Sequence, residues 1–238
     1  MELIALISTF EESPSMLKSC IRSAEMLDEV FVFEGPVDRE KKLPTQSLSM
    51  NQFGIYDIEG PKYFSGGWTS DAEKRTDILR EAQAWNCDGW ALWLDSDEIL
   101  LYGEYLHEWC ERADLETGTG GTAIRIVEYD GSVAQCYGKL IKLDSIHKYI
   151  MSSYEVELSN GITVALPNVP ICSAGGIPIG EIKDRDDPLL ALNRPPVIGE
   201  PHLLHRHGLR DPERKALRLH EKEAEDFQSM VDNEKRGN

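Results

Sequence analysis

The opening residues constrain the fold more than any other stretch. Residues 3–7, Leu3-Ile4-Ala5-Leu6-Ile7, form a short apolar run that reads as a buried strand. Ser8-Thr9-Phe10-Glu11-Glu12 follows as a polar loop. Ser13 then caps a helix whose first residue is Pro14. Met16, Leu17, Cys20, Ile21, Ala24 and Leu27 recur at helical spacing and define one buried face. Asp28-Glu29 ends that helix, and residues 30–33 read as a second strand. Two strands joined through a helix in this way run parallel, because a hairpin partner needs no such crossover.

The second informative stretch is Trp90-Ala91-Leu92-Trp93-Leu94-Asp95-Ser96-Asp97-Glu98. Its apolar half reads as a buried strand. Asp95 and Asp97 then lie two residues apart, which in an extended backbone puts both carboxylates on one face. They repel each other unless something positive intervenes, and a hard divalent cation with oxygen ligands is the usual solution. The carboxyl ends of strands are also where open α/β sheets bind ligands. The same residues equally suit a polar turn after a core strand, with Asp97 or Glu98 capping a following helix.

Composition excludes some classes. The chain has 238 residues and a formal net charge of −17, the opposite of the basic excess of a general nucleic-acid binder. An anionic membrane surface is disfavoured for the same reason. Five scattered cysteines, Cys20, Cys87, Cys110, Cys136 and Cys172, show no metal-ligand spacing and read as reduced thiols of a cytoplasmic protein. No stretch reads as a signal peptide or a transmembrane span.

The rest of the chain is read in order. Residues 39–65 have no clean period: a long loop or small lobe, or else an unrecognised short helix and strand. Ser70 and Glu73 fit a capping box for a helix whose apolar face is Ile78, Leu79, Ala82 and Trp85. All five tryptophans fall between Trp68 and Trp109, which places the thickest core there. Residues 102–112 suit a helix. Residues 122–129 and 133–143 suit a hairpin turning at Asp130-Gly131. Residues 149–158 and 162–166 suit another strand pair, joined through Asn160-Gly161. The second half is thus antiparallel, and one mixed sheet shared by both halves is the economical arrangement.

Near the C-terminus, His202, His205 and His207 fall within six residues. Imidazole is a common metal ligand. Arg210, Arg214 and Arg218 follow on an expected helix, either as anion ligands or as a solvated face balanced by Glu221, Glu223 and Glu225. Asp184, Asp186 and Asp187 lie in a Pro- and Gly-rich stretch, as exposed turn residues or as acceptor-side carboxylates.

These residues resemble a family. The strand ending in Ser8-Thr9, the Pro14 helix, the strand at 30–33, the Lys74-Arg75 pair and Ala91-Leu92-Trp93-Leu94-Asp95-Ser96-Asp97-Glu98 are similar to the GT-A fold of nucleotide-sugar-dependent glycosyltransferases, closest to glycosyltransferase family two. The likeness covers about the first 115 residues, and the His205 and Arg210–Arg214 region resembles the C-terminal histidine and basic helix start of many members. Glu11 and Glu34 depart from it, standing where members often carry Asn or Asp.

The resemblance implies an α/β, GT-A-like single domain with a mixed central sheet, parallel in its N-terminal βαβ part and antiparallel in its C-terminal part. Residues 1–115 would form the nucleotide-sugar-binding half, and 116–238 the acceptor-side half with a C-terminal helix. It implies metal-dependent transfer of a sugar from a UDP- or GDP-sugar donor to an unidentified acceptor, with Mn²⁺ or Mg²⁺. Asp97 would bind the metal, His205 would complete the protein shell, and Asp95 would hold the ribose or bridge to the metal through water. Arg75, Arg210 and Arg214 would take the diphosphate, while Thr9, Glu11 and Glu34 would line the nucleoside pocket. Glu155, on a strand, or Asp187, in the flexible stretch, would serve as general base. Two other classes suit the same residues: a metal-dependent phosphohydrolase or nucleotidyltransferase, and a non-catalytic sugar-nucleotide-binding or scaffolding protein on this fold.

Overall fold

The computed structural model describes residues 1–10, 12–38, 42–48, 60–117, 121–129, 137–151, 155–165 and 201–206. The chain divides into a unit of Met1–His205 and a unit of Arg206–Asn238. The second lies outside the described residues except for Arg206.

In the first unit the N-terminal crossover is as expected. Strand β1 (Leu3–Thr9), helix α1 (Pro14–Ala24) and strand β2 (Glu29–Glu34) follow in order, with β1 and β2 parallel. The Ser13 side chain accepts from the Met16 amide at 3.3 Å, and Pro14 occupies the first turn. After β3 (Leu43–Leu48) and β4 (Lys62–Gly67) come α2 (Asp71–Trp85), β5 (Trp90–Asp95) and β6 (Glu98–Leu101). Helix α3 (Leu106–Thr117), β7 (Gly121–Glu128), β8 (Tyr137–Lys142), β9 (Ile146–Met151), β10 (Glu155–Leu158), β11 (Thr163–Ala165) and β12 (His202–His205) complete the series.

Among the described residues, nine strands form one mixed sheet in the order β3-β4-β2-β1-β5-β8-β7-β12-β6. The block β4-β2-β1-β5 is parallel, while β8 runs antiparallel to both β5 and β7. Alternation along β1 sorts its side chains between two helical layers. Leu3, Ala5 and Ile7 join Leu17, Cys20 and Ile21 of α1 and Leu106 and Cys110 of α3. Ile4 and Leu6 join Phe31, Phe33, Trp93 and the Ile78, Leu79 and Ala82 face of α2. Residues 3–7 are 0% exposed. Burying an aliphatic side chain is worth about 1.5–3 kcal/mol, so this strand anchors both layers.

Five expectations need correction. For residues 39–65 the loop reading gives way to the reading of unrecognised elements: the described residues hold two strands, β3 and the start of β4, antiparallel to each other. The strand expected over 149–158 is two antiparallel strands, β9 and β10, which form a separate three-stranded sheet with β11. The cause is a 3-10 turn, Leu143–Ser145, that carries the chain off the main sheet and onto α2. There the Gln83 side chain donates to the Leu143 and Ile146 carbonyls at 2.6 and 2.8 Å. Helix α3 starts later than expected, at Leu106, after a short 3-10 turn at Gly103–Tyr105. Trp85 is 50% exposed, outside the core, with the Lys62 ammonium 3.6 Å over its ring. Finally, β5 ends at Asp95, so Asp95 and Asp97 do not share an extended strand, and a strand rather than a helix follows them.

Candidate functional site

The chain moves from β1 to β2 on one side and later returns to place β5 on the other. The order in which parallel strands are added therefore reverses between β1 and β5, and such a switch point opens a crevice at the carboxyl ends of the strands. Ser8 pairs in register with Asp95 there, and Thr9 with Glu34. Lys74 of α2, 4% exposed, ties this end together by donating to the carbonyls of Thr9 at 3.2 Å and Gly35 at 2.9 Å. Across the crevice the Ser96 hydroxyl donates to the Glu12 carboxylate at 3.1 Å.

From Asp95 the chain turns through Ser96 and Asp97 into β6, which leaves β5 and pairs with β12 at the sheet's edge. Strand β12 also pairs with β7, so His205 lies in register with Glu98 on one side and Glu128 on the other. Its Nε2 is 3.2 Å from Asp97 Oδ2, and its Nδ1 is 3.0 Å from Glu128 Oε1. Burial works against charge on this imidazole, but Asp97 and then Glu128 outweigh it and raise its pKa to about 9. Asp97 is fully buried.

Asp95 meets two cations. Lys139 Nζ lies 3.0 Å from Asp95 Oδ2, and also 2.6 and 2.7 Å from the two carboxylate oxygens of Glu98. Burial opposes the lysine's charge, yet Asp95 and Glu98 hold it above the ordinary lysine value. Burial pushes Glu98 up to about 7 against the pull of Lys139. On the other side, Arg75 Nη2 is 3.9 Å from Asp95 Oδ1, its Nε donates to Asp71 at 2.9 Å, and its guanidinium lies 4.9 Å from the Trp93 ring centroid. Burial opposes the Arg75 charge as well, but Asp71 and Asp95 outweigh it.

The geometry around Asp97 and His205 suits a divalent cation. Two ligands at about 2.1 Å from one octahedral ion stand about 3 Å apart, close to the spacing of Asp97 Oδ2 and His205 Nε2. A metal-bound histidine usually gives its other N–H to a carboxylate, the position that Glu128 holds. Among the described residues no three His, Cys, Asp or Glu side chains gather into a cage. Two protein ligands suit Mg²⁺ or Mn²⁺, which keep waters and take substrate phosphates. Such an ion must displace the proton that His205 otherwise holds.

Of the residues singled out in the sequence, Arg75, Asp95, Asp97 and His205 converge here, and Thr9 and Glu34 lie on the same strand ends. Thr9 is buried, and its hydroxyl has no hydrogen-bond partner among the described residues. His202 faces away, three register steps from His205, with its ring 5.8 Å from that of Tyr102. The Glu155 backbone pairs with Met151 and Ala165 in the small sheet. Glu11, Asp187, His207, Arg210 and Arg214 lie outside the described residues. Sequence reasoning missed Lys139, Glu98, Glu128 and Lys74 as site residues. Glu98 carried a signal as the third carboxylate of its run, and Lys74 as half of the Lys74-Arg75 pair. Lys139 and Glu128 arrive through strand pairings distant in sequence.

No family model matches the sequence, and no curated protein matches it. Among solved structures, S. aureus TarS is 16% identical over 54% of this chain and 21% of its own, with a TM-score of 0.32. The structure of S. aureus TarS 1-349 is 14% identical over 55% of this chain and 37% of its own, with a TM-score of 0.34. A 4-diphosphocytidyl-2C-methyl-D-erythritol synthase is 13% identical over 61% of this chain and 77% of its own, with a TM-score of 0.37. The chain thus spans well under half the length of the TarS structures that it resembles. The mixed α/β architecture itself rests on the strand order and pairing described above. Among the described residues no helix is long and apolar enough to cross a membrane.

Proposed function

We propose that the chain binds a nucleotide-sugar donor in the crevice between β1 and β5 and transfers its sugar, with one divalent cation on Asp97 and His205. The observation that carries this reading is the convergence of Asp97, from the turn between β5 and β6, with His205 of β12 and Glu128 of β7, beside a topological switch point. The resemblance to GT-A glycosyltransferases of family two adds support, because its Thr9 loop, Lys74-Arg75 pair and Asp95-Ser96-Asp97-Glu98 run surround that one crevice.

The residues divide the work by position. Thr9 and Glu34 border the nucleoside side of the crevice. Asp95, held on one oxygen by Lys139 and approached on the other by Arg75, keeps a fixed orientation toward the ribose. Asp97 and His205 would hold Mn²⁺ or Mg²⁺, whose charge would offset the negative charge that develops on a departing nucleoside diphosphate. Arg75 adds a positive group nearby with its orientation set by Asp71 and Trp93. If transfer inverts the anomeric centre, the acceptor proton goes to a base outside this cluster. Glu155 is our choice: Val156 beside it pairs with Tyr149, whose ring touches Trp93, and Thr76 binds the Tyr149 amide at 3.0 Å to fix that strand on α2.

The test is a thermal-shift screen of UDP- and GDP-sugars with and without Mn²⁺, followed by product analysis. A donor at 100 times its Kd raises stability by about 2.7 kcal/mol. Glycosyl transfer leaves an intact nucleoside diphosphate and a glycosylated acceptor. Sugar phosphate plus nucleoside monophosphate would instead identify a phosphohydrolase, and no response to any sugar nucleotide would leave a non-catalytic scaffold.

A further inference from the structure

The Lys139 ammonium has three N–H groups, and three carboxylate oxygens surround it at 3.0, 2.6 and 2.7 Å: one from Asp95 and both from Glu98. A group so engaged is poorly placed to bind a phosphate as well. The pattern of one single-oxygen and one two-oxygen carboxylate around a single positive centre is how acidic side chains hold hard divalent cations. Glu98 is further fixed by accepting the Asp95 amide at 2.8 Å, and it is 2% exposed. Without a cation, buried Glu98 and neighbouring Asp95 would repel each other at short range.

We propose that Lys139 is a built-in cation standing where a divalent ion would otherwise sit between Asp95 and Glu98. It thereby limits the acidic turn to one exchangeable ion, on Asp97 and His205. The one-ion clause rests on the function proposed above, whereas the role of Lys139 does not. By satisfying Asp95 and both oxygens of Glu98, Lys139 leaves Asp97 and His205 as the pair open to an exchangeable ion. It is a positioning residue: it sets the orientation of Asp95 and the charge of the turn without touching substrate.

The experiment counts bound Mn²⁺ per chain by electron paramagnetic resonance in the wild type, K139A and K139R. K139A is expected to bind one ion more than the wild type and to gain a Mn²⁺-dependent rise in Tm. K139R, which keeps a cation in place, is expected to match the wild type in number. An alanine variant that folds only with Mn²⁺, followed by circular dichroism, also supports the role. K139A with no gain in ions, K139A unfolded with and without Mn²⁺, or K139R gaining an ion overturns it. The wild-type number reports separately on the Asp97–His205 site: zero ions there refutes that reading, while the difference between variants still judges Lys139.

Discussion

Gly35→Ala tests how tightly the floor of the crevice is built. Gly35 follows β2 with φ +154°, and a Cβ there would lie 1.8 Å from the Gly66 carbonyl oxygen and 2.9 Å from Trp68 Cζ3. The first obstacle is backbone, so no rotamer change relieves it. Gly35 also donates to the Thr9 carbonyl at 3.2 Å and accepts from Lys74 at 2.9 Å, so moving it strains both neighbours. The unfavourable φ costs about 1–3 kcal/mol. Overpacking adds about 1–3 kcal/mol. The sum is about 2–6 kcal/mol, or a fall in Tm of roughly 10 °C for a chain of this length. Gly161→Ala is the control, because its φ is +83° but a Cβ meets nothing within 4 Å, leaving about 1–2 kcal/mol of φ strain alone. Urea unfolding of both variants measures the difference. Equal losses for Gly35→Ala and Gly161→Ala would refute the argument that close packing of β2 on β4 demands glycine.

Three further outcomes are expected. Asp97→Asn and His205→Ala should each abolish Mn²⁺-dependent donor binding in the thermal-shift assay, while His202→Ala, at the far end of β12, should leave it intact; a comparable loss in His202→Ala would count against the assignment. Glu155→Gln should slow transfer by roughly 10²-fold with donor affinity unchanged, and near-normal turnover would send the base role elsewhere. Glu73 closes the start of α2, accepting from the Thr69 amide and hydroxyl at 2.8 Å, and Lys42 chiefly lowers its pKa from 4.5 to about 2. A carboxylate depressed in the folded state stabilises fully above its ordinary pKa and loses that contribution as pH falls through the folded one. Glu73→Gln should therefore cost about 1 kcal/mol at pH 7, and that gap should close between pH 4.5 and about 2 in pH-dependent thermal melts; a gap independent of pH would refute it.

Legibility in the sequence followed the range of the interactions. The buried face of α1, Met16, Leu17, Cys20, Ile21 and Ala24, was readable because helical period and the Ser13-Pro14 cap are local. The Asn160-Gly161 turn between β10 and β11 was readable for the same reason. Trp85 misled because its period is right while its place, at the last turn of α2, lies beyond the sheet that would cover it. Lys139 was invisible as a site residue: nothing local marks one lysine of a strand, and only the pairing of β8 with β5 brings it to Asp95.

By itself, then, the sequence determined the parallel start of the sheet, the helix caps, and the acidic turn that closes β5. Those properties depend on neighbours a few residues apart. Tertiary structure alone decided which charges meet that turn. The register of β12 between β6 and β7 puts His205 against Asp97 and Glu128, and the path of β8 gives Asp95 and Glu98 to Lys139. The reason is physical: a buried carboxylate takes its properties from the charges within a few ångströms, and strand pairing across most of the chain delivers them.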